Sequence, residues 1–201
     1  MDNPSLNLNG VAVWAGFILP REQADMVKDL RKLAAEAPFR QYQTPHGQMS
    51  VRMSGAGTQA WLADESGYRY DTSQPDGRDW PEIPASVLSV WEALSGVERV
   101  PDSCLINFYG EGAKMGLHQD KDEATTNWPV VSISLGDDAL FRVGQTKRGG
   151  PTQSIWLHSG DVAVLHGKGR LAYHGIDRIR YRSSALLPEG GRINVTLRVA
   201  G

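Results

Sequence analysis

The sequence predicts an α+β fold that is mainly β: a sandwich or jelly-roll barrel with its helices packed on one sheet. Two patterns predict it. Helical periodicity is confined to the first half of the chain. From residue 102 onward the chain becomes a series of short apolar runs separated by turn residues, about eight of them. Length and composition bound the rest. At 201 residues, 40% hydrophobic and 22% charged, the chain reads as a single domain, 1–201, large enough to bury a real core. It carries no repeat and no low-complexity tract.

Taken in order, "GVAVWAGFI" opens as a short strand, Val11 and Val13 alternating with small residues. "REQADMVKDLRKLAAEA" (21–37) is a helix. Met26, Leu30, Leu33 and Ala37 share one face, with Val27 and Ala34 beside them. Pro20 suits its entry and Pro38 its exit. Residues 39–82 are polar and rich in Gly, Ser, Gln and Asp, with Tyr42, Trp61, Tyr68, Tyr70 and Trp80 interleaved. Such a stretch reads as a functional lid or hairpin region rather than core. "PASVLSVWEALS" (84–95) is a second helix with Val87, Leu88, Trp91 and Leu94 as its stripe. The strands that follow are "CLINFY", "GLHQD", "VVSISL", "ALFRV", "SIWLH", "DVAVLH", "RLAYHG" and "INVTLRVA".

The net charge of −2 argues against a protein that coats nucleic acid through a broad basic surface, though not against local grip on a few phosphates. Cys104 is the one cysteine, so no internal disulfide forms, which suits a reducing compartment. The polar "MDNPSLNLNG" start and the lack of a span-length apolar segment lead us to expect a soluble, cytoplasmic protein with no membrane partner. Nothing in the sequence demands a partner subunit, so a monomer is expected.

Chemistry concentrates in "LHQDKDE" (117–123). If this run ends a strand, His118 and Asp120 point the same way. Of the five histidines (46, 118, 158, 166 and 174), His174 is the best third ligand: in "RLAYHGI" it follows an apolar strand and precedes a glycine, where a side chain can turn into a barrel mouth. His158 and His166 flank the "SGDVAVL" turn and read as surface or core-edge polar groups. Two histidines and one carboxylate would make the facial triad of non-haem Fe(II) oxygenases. The competing reading of "QDKDE" is a solvated acidic turn. In the last strand, Arg192, Asn194, Thr196 and Arg198 share one face, and an inward face with two arginines needs an anion. Roughly 20 Å apart along an extended strand, the arginines either clamp both ends of a dicarboxylate, or one binds it while the other serves a neighbour. Asn107 and Tyr109 add donors at the same spacing. The alternative is the wet outer face of an antiparallel sheet.

Several motifs occur together in order: "PFRQ", "TPHGQMSV", Trp61, "GYRY", "CLINFYGEGAKMGLHQDKDE", "VVSISLG", "TKRG", "GDVAVLHGKGRLAYHGI" and "RINVTLRVAG". In these the chain resembles, over nearly its whole length, the AlkB family of Fe(II)- and 2-oxoglutarate-dependent dioxygenases. The resemblance implies a double-stranded β-helix (jelly-roll) core over 102–201 and a nucleotide-recognition lid over 39–82. It implies His118, Asp120 and His174 as ligands of Fe(II), and Asn107, Tyr109, Arg192, Asn194 and Arg198 as the 2-oxoglutarate site. Arg192 would take the distal carboxylate and Arg198 the one near iron. Trp61, Tyr68 and Tyr70 would meet nucleic acid or the substrate base, Asp122 its exocyclic amine, and Arg148 the substrate. The implied activity consumes O2 and 2-oxoglutarate to demethylate bases such as 1-methyladenine and 3-methylcytosine in alkylated single- or double-stranded DNA, or RNA. It releases formaldehyde, succinate and CO2. The chain departs from the pattern at Phe108, in "ATTNWP" and at His166, the last of which could perturb the barrel mouth. Two other functions share these residues: the same iron core acting on a protein or small molecule, and a non-catalytic metal- and 2-oxoglutarate-binding module. The aromatic lid and Asp122 speak against the first, and the complete set of ligands and clamps against the second.

Overall fold

The computed structural model describes residues 3–44, 47–65 and 67–201; His46 and part of "TPHGQMSV" lie outside them. The chain opens with β1 (Leu6–Leu8) and β2 (Val11–Trp14), a hairpin whose two loop residues, Asn9 and Gly10, both have positive φ. An Asn-Gly pair between apolar runs is the mirror-image turn that a two-residue hairpin favours. Gly10 also lies where a Cβ would sit 2.8 Å from the Gly169 nitrogen, so no other residue fits. Helix α1 (Pro20–Glu36) follows, with Pro at its first turn and the Glu22 carboxylate accepting the Leu19 N–H at 2.9 Å. Its buried face is Gln23, Met26, Val27, Leu30 and Leu33.

The segment expected to be a lid is built of three parts. Strands β3 (Gln43–Thr44) and β4 (Gly47–Gln48) form one small hairpin, and β6 (Ala60–Asp64) with β7 (Gly67–Asp71) forms another. Between them β5 (Arg52–Gly57) leaves the lid and joins the main sheet. Its small residues hid it in the sequence. They are there because space is short: a Cβ on Gly55 would lie 2.6 Å from that of Ala60. Helix α2 (Ala85–Leu94) buries Val87, Val90, Trp91 and Leu94, so Val90 rather than Leu88 completes the stripe.

The remaining strands are β8 (Ser103–Tyr109), β9 (Met115–His118), β10 (Val130–Gly136), β11 (Asp138–Val143), β12 (Gln153–Leu157), β13 (Val162–Leu165), β14 (His174–Arg180) and β15 (Arg192–Arg198). They divide between a seven-stranded sheet, β1-β2-β13-β10-β15-β8-β5, and a four-stranded sheet, β12-β11-β14-β9. The chain crosses repeatedly between the two sheets and all strand pairs in them are antiparallel, which is the jelly roll. "RLAYHG" is not a strand. A 3-10 turn at Gly167–Gly169 leads into it, and strand pairing starts only at His174.

Period-two alternation splits the core into two layers. Ile193, Val195 and Leu197 of β15, with Val162 and Val164 of β13, pack on the helices. Ala163 and Leu165 face the other sheet, where they meet Phe141, Val143, Leu157 and Ile176. The intervening residues of β15 are polar, yet every residue of that strand is buried. They line a cavity between the sheets.

Candidate active site

The cavity has a volume of about 650 Å³, and all thirteen residues singled out from the sequence line it. Its floor comes from β15 and β8, whose register sets Arg192 opposite Tyr109 and Asn194 opposite Asn107. Arg192 is only 1% exposed, and its guanidinium lies 5.2 Å from the Tyr109 ring centroid. Its Nη2 donates to Ser134 Oγ at 3.0 Å, but Nε and Nη1 find no acceptor, and Asn107 Oδ1 also lacks a partner. Asn194 Nδ2 donates to Ser132 Oγ at 2.8 Å and to the Ile133 carbonyl at 3.0 Å. Burial lowers the Arg192 pKa and pushes the Tyr109 hydroxyl up to about 12. A buried guanidinium with open N–H groups is unfavourable by itself; an anionic ligand relieves it.

On the facing sheet, antiparallel pairing of β9 and β14 sets His118 directly opposite His174. Their rings are 4.5 Å apart. His118 Nδ1 hydrogen-bonds the Gly116 carbonyl at 2.9 Å and His174 Nδ1 that of Ala172 at 3.0 Å. A carbonyl can only accept a hydrogen bond, so each ring carries its hydrogen on Nδ1 and donates it, which leaves the Nε2 lone pair free. Both Nε2 atoms face Asp120, at 3.6 Å from Oδ1 and 3.9 Å from Oδ2 respectively. One ligand atom from each of the three lies within 4.8 Å of the others, and no other such cluster occurs among the described residues. Burial first, then the neighbouring His118, lower the His174 pKa to about 4 against the pull of Asp120, so the ring is neutral and able to ligate at neutral pH. Burial would raise Asp120. The charge of Arg198, then those of the two histidines, outweighs it and holds the carboxyl below the usual carboxylate range.

Asp120 lies beyond the end of β9, so alternation along one strand is not what aims it. A buried ionic group does. Arg198 Nη2 donates to Asp120 Oδ2 at 2.7 Å, and its Nε lies 3.2 Å from Glu123 Oε1. Arg170 Nη2 lies 3.2 Å from Glu123 Oε2, the two side chains being 5% and 1% exposed. Sequence reasoning missed Glu123 and Arg170. The acidic run reads as solvated, and only the fold reveals that its last carboxylate turns inward between two arginines. Arg198 thus faces two carboxylates, although its Nη1 still lacks an acceptor.

The mouth carries the aromatics. Pairing of β6 with β7 sets Trp61 and Tyr68 on one face of the hairpin, where their rings stack at 5.2 Å and 20°. Tyr68 is 50% exposed. Trp61 Nε1 donates to Asp122 Oδ2 at 3.1 Å. Tyr70 turns inward, and its hydroxyl donates to Glu123 Oε1 at 3.2 Å. Arg148 stands on the exposed loop between β11 and β12 at the rim. His166 is exposed and His158 pairs with Asp138; neither lines the cavity. Phe108 points away from the site and packs on Phe39 and Arg52.

The chain is similar to known proteins along nearly its whole length. Residues 10–198 match the 2OG-Fe(II) oxygenase superfamily. An Alpha-ketoglutarate-dependent dioxygenase AlkB homolog of Caulobacter vibrioides is 50% identical over 193 residues, covering 95% of this chain and 88% of that protein. A DNA N(6)-methyladenine demethylase of Arabidopsis thaliana, ALKBH1D, is 32% identical over 94% of this chain and 49% of its own length. The solved structure of OsALKBH1 superposes with a TM-score of 0.81 at 30% identity, covering 98% of this chain and 99% of that one. With its jelly roll, its His-Asp-His cluster and these relatives, the chain belongs to the AlkB family of Fe(II)- and 2-oxoglutarate-dependent dioxygenases.

Proposed function

We propose that the protein removes N-methyl groups from bases of alkylated nucleic acid, 1-methyladenine and 3-methylcytosine among them, in DNA or RNA, single- or double-stranded. One observation carries the reading: a single cavity holds a metal-ligand cluster, an anion-hungry floor and a stacked aromatic mouth beside a carboxylate. The AlkB relative and the plant demethylase support the substrate class.

In this reading His118, Asp120 and His174 hold Fe(II). The donor set fits: two imidazoles and a carboxylate, the combination that would hold a non-haem Fe(II). Arg192, with Tyr109, Asn107 and Asn194, binds the distal carboxylate of 2-oxoglutarate, and the open N–H groups of Arg192 are what fit it. Arg198 serves the carboxylate nearer the metal through Nη1 while restraining Asp120. When bound, iron would supply the oxidising chemistry: one O2 would be consumed, one of its oxygen atoms going to succinate as 2-oxoglutarate loses CO2 and the other to the methyl carbon, which leaves as formaldehyde. The chain's own groups bind and orient. Trp61, with Tyr68 stacked behind it, gives a flipped base a surface to lie on. Asp122 faces the positive charge of a cationic methylated base, exchanging its Trp61 hydrogen bond for the exocyclic amine. Tyr70 ties the mouth to Glu123, and Arg148 meets the substrate at the rim. Residues 39–82 act as the lid and 102–201 as the catalytic core of one domain.

We also infer a monomer: the thirteen candidate residues meet in one cavity, so the proposed site needs no residue from a second copy to complete it. Action in the cytoplasm suits the single buried cysteine. No helix among the described residues is long and apolar enough to cross a membrane. The test is a methylated single-stranded oligonucleotide incubated with protein, Fe(II), ascorbate and 2-oxoglutarate, then weighed. Loss of one CH2 that requires His118 is expected. An unchanged mass alongside succinate release would send the search to another substrate.

A further inference from the structure

Asp120 and the residues preceding His174 share a weakness: neither segment belongs to a strand. Strand β9 ends at His118 and β14 begins at His174, so ladder hydrogen bonds fix both histidines but not Asp120. Asp120 is also contested. Arg198 holds one of its oxygens at 2.7 Å, while the histidine nitrogens wait at 3.6 and 3.9 Å. A backbone free to shift would surrender the carboxylate to the arginine.

Two side chains cross the gap in opposite directions. Gln119 Nε2 donates to the Leu171 carbonyl at 2.6 Å and to that of Thr146 at 3.1 Å. Arg170 Nη1 donates back to the Asp120 carbonyl at 2.6 Å, and its Nε to the Trp128 carbonyl at 2.7 Å. Glu123 neutralises the guanidinium. A buried Arg–Glu pair does little for net stability, because desolvation offsets most of its attraction. What it does here is aim a rigid fork at two backbone carbonyls of the segment that bears Asp120.

We propose that Gln119 and Arg170 are positioning residues, a reciprocal clasp between the segment bearing Asp120 and the segment leading into His174. The clasp fixes the carboxylate against the two imidazoles before any metal arrives. The inference rests on the reading of His118, Asp120 and His174 as metal ligands. Neither clasp residue ligates the metal; both act through the backbone of Asp120.

The experiment uses the full chain freed of metal, with Co(II) as the probe, followed by its visible absorption. Gln119→Leu removes the forward bonds without changing charge. Arg170→Lys keeps the charge and loses the fork. Amide hydrogen exchange across residues 117–123 and the urea midpoint are measured on the same samples. We expect Gln119→Leu to weaken Co(II) binding about 10-fold, as loss of an outer contact to a metal ligand does. Exchange across 119–123 should quicken, with the urea midpoint unchanged; Arg170→Lys should lose at least as much affinity. If Arg170→Lys does not fold, Gln119→Leu decides alone. Wild-type Co(II) affinity and exchange in Gln119→Leu would overturn the clasp. So would a loss of affinity that merely accompanies global destabilisation. A wild-type chain that binds no Co(II), or binds it equally well as His118→Ala, would overturn the ligand reading and the clasp with it.

Discussion

Arg192 is a residue whose cost and use have opposite signs. Buried with two unpartnered N–H groups, it destabilises the empty protein. Arg192→Met should therefore raise the stability of the metal-free, 2-oxoglutarate-free chain by about 1–2 kcal/mol. It should also weaken 2-oxoglutarate binding by about 3 kcal/mol, on the order of 100-fold. Thermal melts with and without 2-oxoglutarate check both halves, and a variant less stable in both states would refute the account. Asp122 makes a subtler test. Asp122→Asn keeps an acceptor for Trp61 but removes the charge, so kcat/KM on a cationic methylated base should fall about 5- to 10-fold, for about 1 kcal/mol of Coulomb attraction near the surface. A neutral methylated base should be hardly affected. At this scale the sequence was informative wherever function follows strand alternation: Arg192, Asn194, Thr196 and Arg198 on β15, Asn107 and Tyr109 on β8. It was silent on Glu123 and Arg170, whose burial depends on how two loops meet and on no local pattern.

Among the elements, the pairing of β9 with β14 decides the candidate metal site. It sets the histidines opposite one another and then slips by a bulge before Ile176 meets Met115. Gly175 sits at that slip. A Cβ there would lie 2.5 Å from the Met115 carbonyl and 2.7 Å from that of Gly116. Gly175→Ala must push β9 outward, carrying His118 away from His174. We expect a folded protein with metal affinity at least 10-fold weaker, read by Co(II) titration; unchanged affinity would show that the strands yield elsewhere. The sequence located this element but misjudged its start. "RLAYHG" has the apolar content of a strand, yet the tight turn at Gly167–Gly169 and the outward-reaching Arg170 keep it irregular until His174. Strand β2 was legible in "GVAVWAGFI" through its alternating valines, while β1 and its Asn-Gly turn were lost in a start that reads as merely polar, and β5 was hidden by its Ser-Gly-Ala composition, which reads as loop.

For the whole molecule, acid is the revealing perturbation. The folded His174 pKa of about 4 lies below the ordinary histidine value of 6.5. Between those values the unfolded chain takes a proton that the folded chain refuses. Stability is therefore complete above pH 6.5 and falls as pH drops toward 4, by on the order of 3 kcal/mol. Asp120 works in the same direction. Its folded pKa is lower than the ordinary 3.8, so its contribution is present above that value and is lost only in stronger acid. Urea midpoints of the metal-free chain between pH 7.5 and 4.5 should fall steadily; a flat profile would contradict the burial of His174. The global architecture was readable because helices came early and short strands late. Which strands would share a sheet was not readable, since the order β13-β10-β15-β8 joins residues far apart in sequence.

The β6–β7 hairpin pairs with neither large sheet; it packs Ala60, Leu62 and Ala63 inward and adds two side-chain bonds, Trp61 to Asp122 and Tyr70 to Glu123. In the proposed function, the cluster on β9 and β14 and the aromatic surface on β6 and β7 are thus separate parts of the chain. Evolution, or a designer, could graft a different hairpin onto this barrel and redirect it to another polymer or lesion. The graft would need to keep the small buried face of β6, above all Ala60 against Gly55, and a donor for each of those two carboxylates.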